Sequence, residues 1–473
     1  MSEPRQLAND AAAIRAAAIE AVRPVSLVGA RLRLGGGGLE VDGRGMSPPL
    51  DPRVAGRIVV VGGGKAAAEM AAAVESLLLG AGVEPARLSG LVSVPAGCGL
   101  SLRCIEVRET RPAGLNLPTP AAVAATREML AAVGGLGPAD LAIVLVTGGG
   151  SALVAAPREG VPLDEKIALA KFLAASGADI RALNTVRQAA SDVKAGGLAR
   201  ACAAGRLVAV VLSDVIGDPL ELIASGPCMP VVPRPDEALS LLERHGAIEV
   251  GIAPRLVARL VADAAAQAGD TRIVGREVSG SWTTPRGCRV DHVLLGSNAT
   301  AVEAAAAAAR TAGYDVVVRH ADPAATETAD DVGLRLAAEG LGLAARASRE
   351  GRPLAIVEGG EAVVMLPADH GRGGRNQQTP LVALAAVRAG GDEWPRGLLI
   401  ASVGTDGEDG PTDAAGGMVD AEIAAAVARA GIDVERAVVR CDAHDVLAAA
   451  GGLIVTGPTG TNVADVRFVL ARP

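Results

Sequence analysis

The stretch RIVVVGGGKAAAEMAAAV, residues 57–74, passes from an apolar run through three glycines and a lysine straight into an alanine-rich segment. A strand that breaks at glycines and turns at once into a helix presents backbone N–H groups and a helix N-terminus to an anion. The stretch predicts a strand–turn–helix unit. Taken alone it leaves open whether Lys65 serves a phosphate or simply sits on a tight turn.

Outward from it the same alternation recurs. GLVSV at 90, CIEV at 104, LAIVLV at 141 and RLVAVVLS at 206 are short apolar runs separated by alanine-rich helical stretches. Such runs predict a parallel sheet covered on both faces. A second series, DHVLLG at 291, YDVVVRH at 314, LAIVEGGEAVVML at 354, RGLLIASVG at 396 and VRFVLA at 466, predicts a second α/β region with helices near 298–312 and 327–347. The proline-rich SGPCMPVVPRPDEA, residues 225–238, breaks regular structure and sets the expected domain boundary near 235, giving domains 1–235 and 236–473. At 473 residues two domains are the default. RLRLGGGGLEVDGRGMSPPLDP, residues 31–52, reads as a hairpin or as an irregular loop before the first core strand.

Composition narrows the function. A net charge of −8 and five aromatic residues supply neither the basic face nor the stacking surfaces that nucleic-acid binding needs. No run reaches the length of a membrane span, and the first 22 residues read as an amphipathic helix rather than an export signal. Six scattered cysteines without CxxC pairs predict reduced thiols, no structural zinc and a cytoplasmic protein. The five histidines share no spacing with cysteine or acid clusters, so a histidine-based metal site or triad has no support.

In open α/β sheets ligands bind beyond the carboxyl ends of strands, which makes the turns there the places to look. Gly62, Gly63, Gly64 and Lys65 follow the first strand; the next run ends in Pro95 and Ala96, without the acid that would hold a dinucleotide ribose. In LVTGGGSALVAAP, residues 145–157, Gly148, Gly149 and Gly150 open a second helix and Ser151 can cap it or donate to a bound oxygen. VVLSDVIGDPLELIASGP, residues 210–227, places Asp214 and Asp218 just past a strand, as Mg²⁺ ligands, proton acceptors or helix caps. In EGGEAVVMLPADHGRGGRNQQTPLVALAA, residues 358–386, glycines flank Arg372 and Arg375, and Asn376 starts a helix suited to an anion. SVGTDGEDGPTDAAGGMVD, residues 402–420, holds Asp406, Asp409 and Asp413 in one glycine-rich turn that lacks the closing glutamate of a calcium loop. VTGPTGTNVADV, residues 455–466, either offers Thr459, Thr461 and Asn462 to a ligand or closes the sheet.

The ordered set VVGGGKAAAEMA, TGGGSAL, LNTVRQAASDVKAGGLA, LSDVIGDPLELIASGP, GSNATAVEAAA, GRGGRNQ, GTDGEDGPTDAAGG and TGPTGTNVADVR resembles the type 2 glycerate kinases of the MOFRL family, some of which carry the older label hydroxypyruvate reductase. The resemblance spans nearly the whole chain after residue 55. It implies two α/β domains, with a mainly parallel Rossmann-like sheet in the first, a smaller second domain and an active site in the cleft between. It also implies a kinase that uses ATP and Mg²⁺ to phosphorylate a hydroxyl of D-glycerate, with 2-phosphoglycerate as the product, or of a related sugar acid. Lys65 and Arg375 match the basic pair near the transferred phosphate, and Asp214 is a third catalytic candidate. Asp214, Asp218 and Asp406 are candidates for Mg²⁺ ligation or for taking the acceptor's proton. Arg187 is placed to fork onto an acceptor carboxylate or to pair within its own helix. Asn298, Asn376 and Asp406 fall in matching motifs as binding candidates, and Glu361, in the stretch 358–386, is another. The chain departs from the family pattern at Leu117, Ala121, Gln188, Ala189, Pro219 and Gln378. An NAD(P)H-dependent hydroxypyruvate reductase and a non-catalytic ligand-binding relative are the competing readings. The sequence leaves the choice between monomer and homodimer open.

Overall fold

The computed structural model describes residues 3–267 and 280–473. These form three sheets. The smallest is the expected hairpin region, extended by a third strand: β1 (Leu32–Gly35), β2 (Gly38–Val41) and β3 (Arg44–Gly45), all antiparallel.

The second sheet contains β4 (Ile58–Gly63), β5 (Leu88–Pro95), β6 (Ile105–Arg111), β7 (Leu141–Val146), β8 (Arg206–Leu212), β9 (Ser281–Thr283) and β10 (Arg289–Gly296) in the order β6-β5-β4-β7-β8-β10-β9. Strands β4 to β8 pair in parallel with one another, and every residue of β4, β7 and β8 is buried. Uninterrupted burial is what a strand covered on both faces requires. The chain moves from β4 outward to β5 and β6, then returns to the other side of β4 to lay down β7. That reversal is the switch point at which α/β sheets open a crevice beyond their carboxyl ends.

The third sheet has β11 (Asp315–Arg319), β12 (Leu354–Gly360), β13 (Leu398–Gly404), β14 (Gly416–Val419), β15 (Leu453–Ile454) and β16 (Asp465–Ala471) in the order β11-β12-β16-β13-β14-β15. Only β11 and β12 are parallel; the C-terminal strand inserts antiparallel between β12 and β13.

Two compact units result: residues 27–213 with 218–267 and 280–295, and residues 3–26 with 214–217 and 296–473. The break expected near 235 is thereby corrected. The prolines there do end regular structure, but the helices that follow, Pro235–Arg244 and Pro254–Gln267, bury Leu241, Leu242, Leu256 and Leu260 in one core with Leu169, Leu173 and Val186 of the first unit. The run at 291 likewise joins the parallel-rich sheet as β10 rather than opening the second series. The N-terminal helix Glu3–Ala21 belongs to the second unit, where Tyr314 donates from its hydroxyl to Asp10 at 2.8 Å and Arg472 pairs with the same carboxylate at 2.9 Å. No helix among the described residues is long and apolar enough to cross a membrane.

Candidate active site

The unit built on the parallel sheet carries the two glycine turns at the switch point. Register pairs Gly62 with Leu145 and Gly63 with Val146, so the turns after β4 and β7 lie side by side. The backbone amide of Lys65 donates to the carbonyl of Gly148 at 2.7 Å, and that of Gly64 to Ser93 at 3.1 Å. A Cβ on Gly62, whose φ is +149°, would fall 2.0 Å from the carbonyl oxygen of Leu145. Glycine is needed there so that neighbouring strands can meet.

This changes the expected role of the first turn. The amides of Gly64 and Lys65 are spent on the protein, whereas those of Gly148 and Gly149 take no hydrogen-bond partner among the described residues. The second turn therefore has the donors, and the first contributes its lysine. Gly149 adopts a left-handed φ of +77°, and a Cβ built on it would stand 3.5 Å from Cγ of Lys65 and 3.7 Å from Nη2 of Arg111. Two cationic side chains thus flank the glycine turn after β7. Arg111 was not among the sequence candidates, although an arginine ending a parallel strand, here the edge strand β6, is a readable signal. It is buried and donates from Nη1 to Asn116 at 3.0 Å.

Ser151 is the second residue of the one-turn helix Gly150–Leu153 and is half-buried. Arg187, on helix Ile180–Ala189, forms no ion pair among the described residues, so the alternative of a salt bridge within its own helix is not what the structure shows. Burial pulls its pKa down. A half-buried guanidinium without a carboxylate is a poorly compensated charge, and a ligand anion would compensate it. Asp218 is half-buried with a left-handed φ of +56°.

The second unit holds the other candidates. Asp214, in the segment that precedes Asp218, is half-buried. Arg375 begins helix Arg375–Ala389 and forks onto the fully buried Asp465, with Nε to Oδ2 at 2.6 Å and Nη2 to Oδ1 at 3.0 Å; Nη1 faces Glu361 at 3.3 Å. Despite burial, these carboxylates raise the guanidinium pKa, so Arg375 is cationic at any working pH. Asn376 was expected to open an anion site at the start of this helix. The protein's own anion fills that place instead: Asp409 accepts from the amides of Asn376 at 3.0 Å and Gln377 at 2.8 Å. Burial pushes its carboxyl up to about 6, against the pull of those amides. The side chain of Asn376 is consumed as well, donating to Asp465 at 2.9 Å and accepting from Ser402.

The remaining candidates scatter. Asp406 is half-buried within its turn and accepts from the amide of Glu408 at 3.1 Å. Asp413 is exposed and pairs with His444 at 3.1 Å, so the acids at 406, 409 and 413 serve three different ends. Among the described residues no three His, Cys, Asp or Glu side chains gather into a group that could hold a metal ion. Asn298 donates twice to backbone, to Val463 and Asp465 at 2.9 Å each, and is a tie between its helix and β16 rather than an open ligand group. Thr459 and Thr461 donate to the carbonyls of Thr405 and Val22, which resolves that turn as sheet closure. Gln378, one of the departures from the family pattern, is buried and ties to Asp330 and Val438.

Comparison with known proteins finds relatives along the whole chain. Residues 10–260 match a domain of unknown function (DUF4147), and residues 354–465 match the MOFRL family. A human protein named glycerate kinase is 34% identical over 99% of this chain and 94% of its own length. A Thermotoga maritima protein named D-glycerate 2-kinase is 34% identical over 86% of this chain and 89% of its own. The crystal structure of the Thermotoga maritima glycerate kinase superposes with a TM-score of 0.78 at 31% identity, covering 99% of this chain and all of the other. A strand-end lysine bonded through its backbone to a second glycine turn, on a chain with these relatives along its whole length, places the protein in the MOFRL-containing glycerate kinase family.

Proposed function

We propose that the protein transfers the γ-phosphoryl group of ATP to a hydroxyl of D-glycerate, giving 2-phosphoglycerate. The observation that carries this is the Lys65–Gly148 backbone bond. It sets a lysine, a buried arginine and two unspent amides at the switch point of a parallel sheet, and phosphoryl transfer asks a protein mainly for such positioning and positive charge.

In this reading Lys65 and Arg111 neutralise charge that develops on the phosphoryl oxygens. The amides of Gly148 and Gly149 donate to the same group, and Arg187 takes the glycerate carboxylate. Arg375, fixed in direction by Asp465, is a further candidate cation for the transfer. Mg²⁺, when bound, would supply further positive charge to the phosphate oxygens. One or two of the candidates Asp214, Asp218 and Asp406 would hold that Mg²⁺, because their carboxylate oxygens are the hard ligands the ion prefers. The six cysteines are all free thiols, which suits a reducing cytoplasm. Hydroxypyruvate reduction is disfavoured because β5 ends in Pro95 without an acid for a ribose hydroxyl.

The test is a phosphorus NMR spectrum of the purified protein with Mg²⁺, ATP and D-glycerate. A phosphomonoester signal growing with ADP, and coupled to the C2 proton, is expected. Unchanged ATP over many enzyme equivalents would overturn the reading, and coupling to the C3 protons would correct the position of transfer.

A further inference from the structure

Lys194 is among the largest fully buried side chains, and the one acid in its sequence setting, SDVKAGG, is Asp192, two residues away. Four oxygens surround its Nζ: Ser151 Oγ in close contact, Ser225 Oγ at 3.2 Å, the Ser151 carbonyl at 3.3 Å and the Ala224 carbonyl at 3.4 Å. None is a carboxylate. Ser151 Oγ and Ser225 Oγ are themselves 3.3 Å apart, and Ser225 Oγ lies 3.4 Å from Oδ1 of the buried Asn184.

The charged groups facing this lysine are Lys166, from helix Leu163–Ala175, and Arg187, from helix Ile180–Ala189. Both are cations. Asp192, two residues away, is occupied by Arg127 and Arg158. Burial first, and then these two cations, drive the Lys194 pKa well below that of an ordinary lysine. A neutral amine has two N–H donors and one lone pair. The two carbonyls match the donors, and the lone pair is left for the Ser151 hydroxyl proton.

The backbone is bent to build this contact. Ala224, Ser225 and Gly226 have consecutive left-handed φ values of +50°, +61° and +62°. Two of these are not glycine, and such strain persists only where the surroundings impose it, commonly at functional sites. Ser151 itself is half-buried rather than sealed, and it follows directly on the glycine turn with unspent amides.

We infer that Ser151 is a base-activated hydroxyl with Lys194 as its proton acceptor, and that it deprotonates the hydroxyl to which the phosphoryl group is transferred. This rests on the kinase reading above. In the step, the acceptor oxygen forms its bond to the γ-phosphorus as the bond to the ADP oxygen breaks. The acceptor's proton passes to Ser151 Oγ while the Ser151 proton passes to Lys194 Nζ, and the resulting ammonium releases its proton to water after product leaves.

Two readouts on the full chain separate this inference from the kinase reading. The first is labelling with an alkyl fluorophosphonate, mapped by mass spectrometry. An activated serine forms the P–O bond, fluoride leaves, and the proton goes to Lys194. An adduct on Ser151 is expected, absent in Ser151→Ala and weakened about tenfold or more in Lys194→Met, in line with general-base assistance. The second is kcat against pH with ATP and D-glycerate. Ser151→Ala should lose about a hundredfold in kcat, with KM for ATP little changed, and should lose the acid limb that protonation of Lys194 gives the wild type. No adduct on Ser151 would overturn the inference whether or not ATP is consumed. An adduct with unchanged kcat in Ser151→Ala would overturn the role in transfer. An adduct on a protein that leaves glycerate unphosphorylated would support the activated serine and overturn the kinase reading. If Lys194→Met fails to fold, Ser151→Ala decides alone.

Discussion

Arg375 holds Asp465 in a two-pronged fork, 2.6 and 3.0 Å, and Asp465 has no exposed surface at all. A buried carboxylate deprived of its partner is strongly destabilising, by about 3–5 kcal/mol. Arg375→Ala is therefore expected to lose both turnover and stability, read as a lower urea midpoint. Adding Asp465→Asn should recover most of the stability without recovering turnover. An Arg375→Ala protein as stable as wild type would contradict the fork as drawn.

Lys65 should behave differently. Its turn is held through its backbone, by the 2.7 Å bond to Gly148, and that bond survives side-chain truncation. Lys65→Ala is expected to cut kcat by about 10²–10³, the scale seen when one charge-stabilising group is removed, while the urea midpoint stays put. Combined with Arg375→Ala, the losses in kcat should fall short of their product if both cations act on one transition state. Fully multiplicative losses would count against a shared role.

The sequence made the parallel sheet legible because continuous apolar runs between alanine-rich helices have few other solutions. It also made Lys65 and the glycine turns legible, since strand-end glycines are rare without a reason. What it hid were groups whose meaning depends on distant partners. Asp409 read as one acid of three in a turn, and only folding shows it under the amides of Asn376 and Gln377. Lys194 stood inside a quoted motif but gave no sign that two serines, from 151 and 225, would close around it. The boundary at 235 failed for the same reason: proline marks a break in regular structure, whereas a domain is defined by which apolar faces share a core, and Leu241 and Leu256 share theirs with Leu169.

Arg187 offers a clean separation of binding from folding. Its guanidinium is half-buried without an ion pair among the described residues, and burial lowers its pKa. Arg187→Met keeps the apolar stem and removes the uncompensated charge, so thermal stability should hold or rise. If Arg187 forks onto the acceptor carboxylate, KM for D-glycerate should rise about 10- to 100-fold, as losing a hydrogen-bonded charge pair implies, with KM for ATP unchanged. Unaltered KM for glycerate would remove Arg187 from the acceptor site.

Asp409 carries the pH prediction. Burial raises its folded pKa from the ordinary carboxylate value to about 6. The native state thus keeps this proton at pH values where the unfolded chain has already released it. Linkage then fixes the sign: the stability from this group is fully present below the unfolded pKa, near 4, and is lost as pH rises through about 6. Asp409→Asn cannot titrate, and it also trades two acceptor oxygens for one at the start of helix Arg375–Ala389, a capping loss of about 1–2 kcal/mol. Scanning calorimetry of both proteins between pH 4 and 7 isolates the group, because every other titration is shared. The wild-type Tm minus the variant Tm should shrink as pH rises from about 4 to 6 and level off beyond. A difference that grows over that interval would mean the amides of Asn376 and Gln377 outweigh burial and hold Asp409 ionised well below 6.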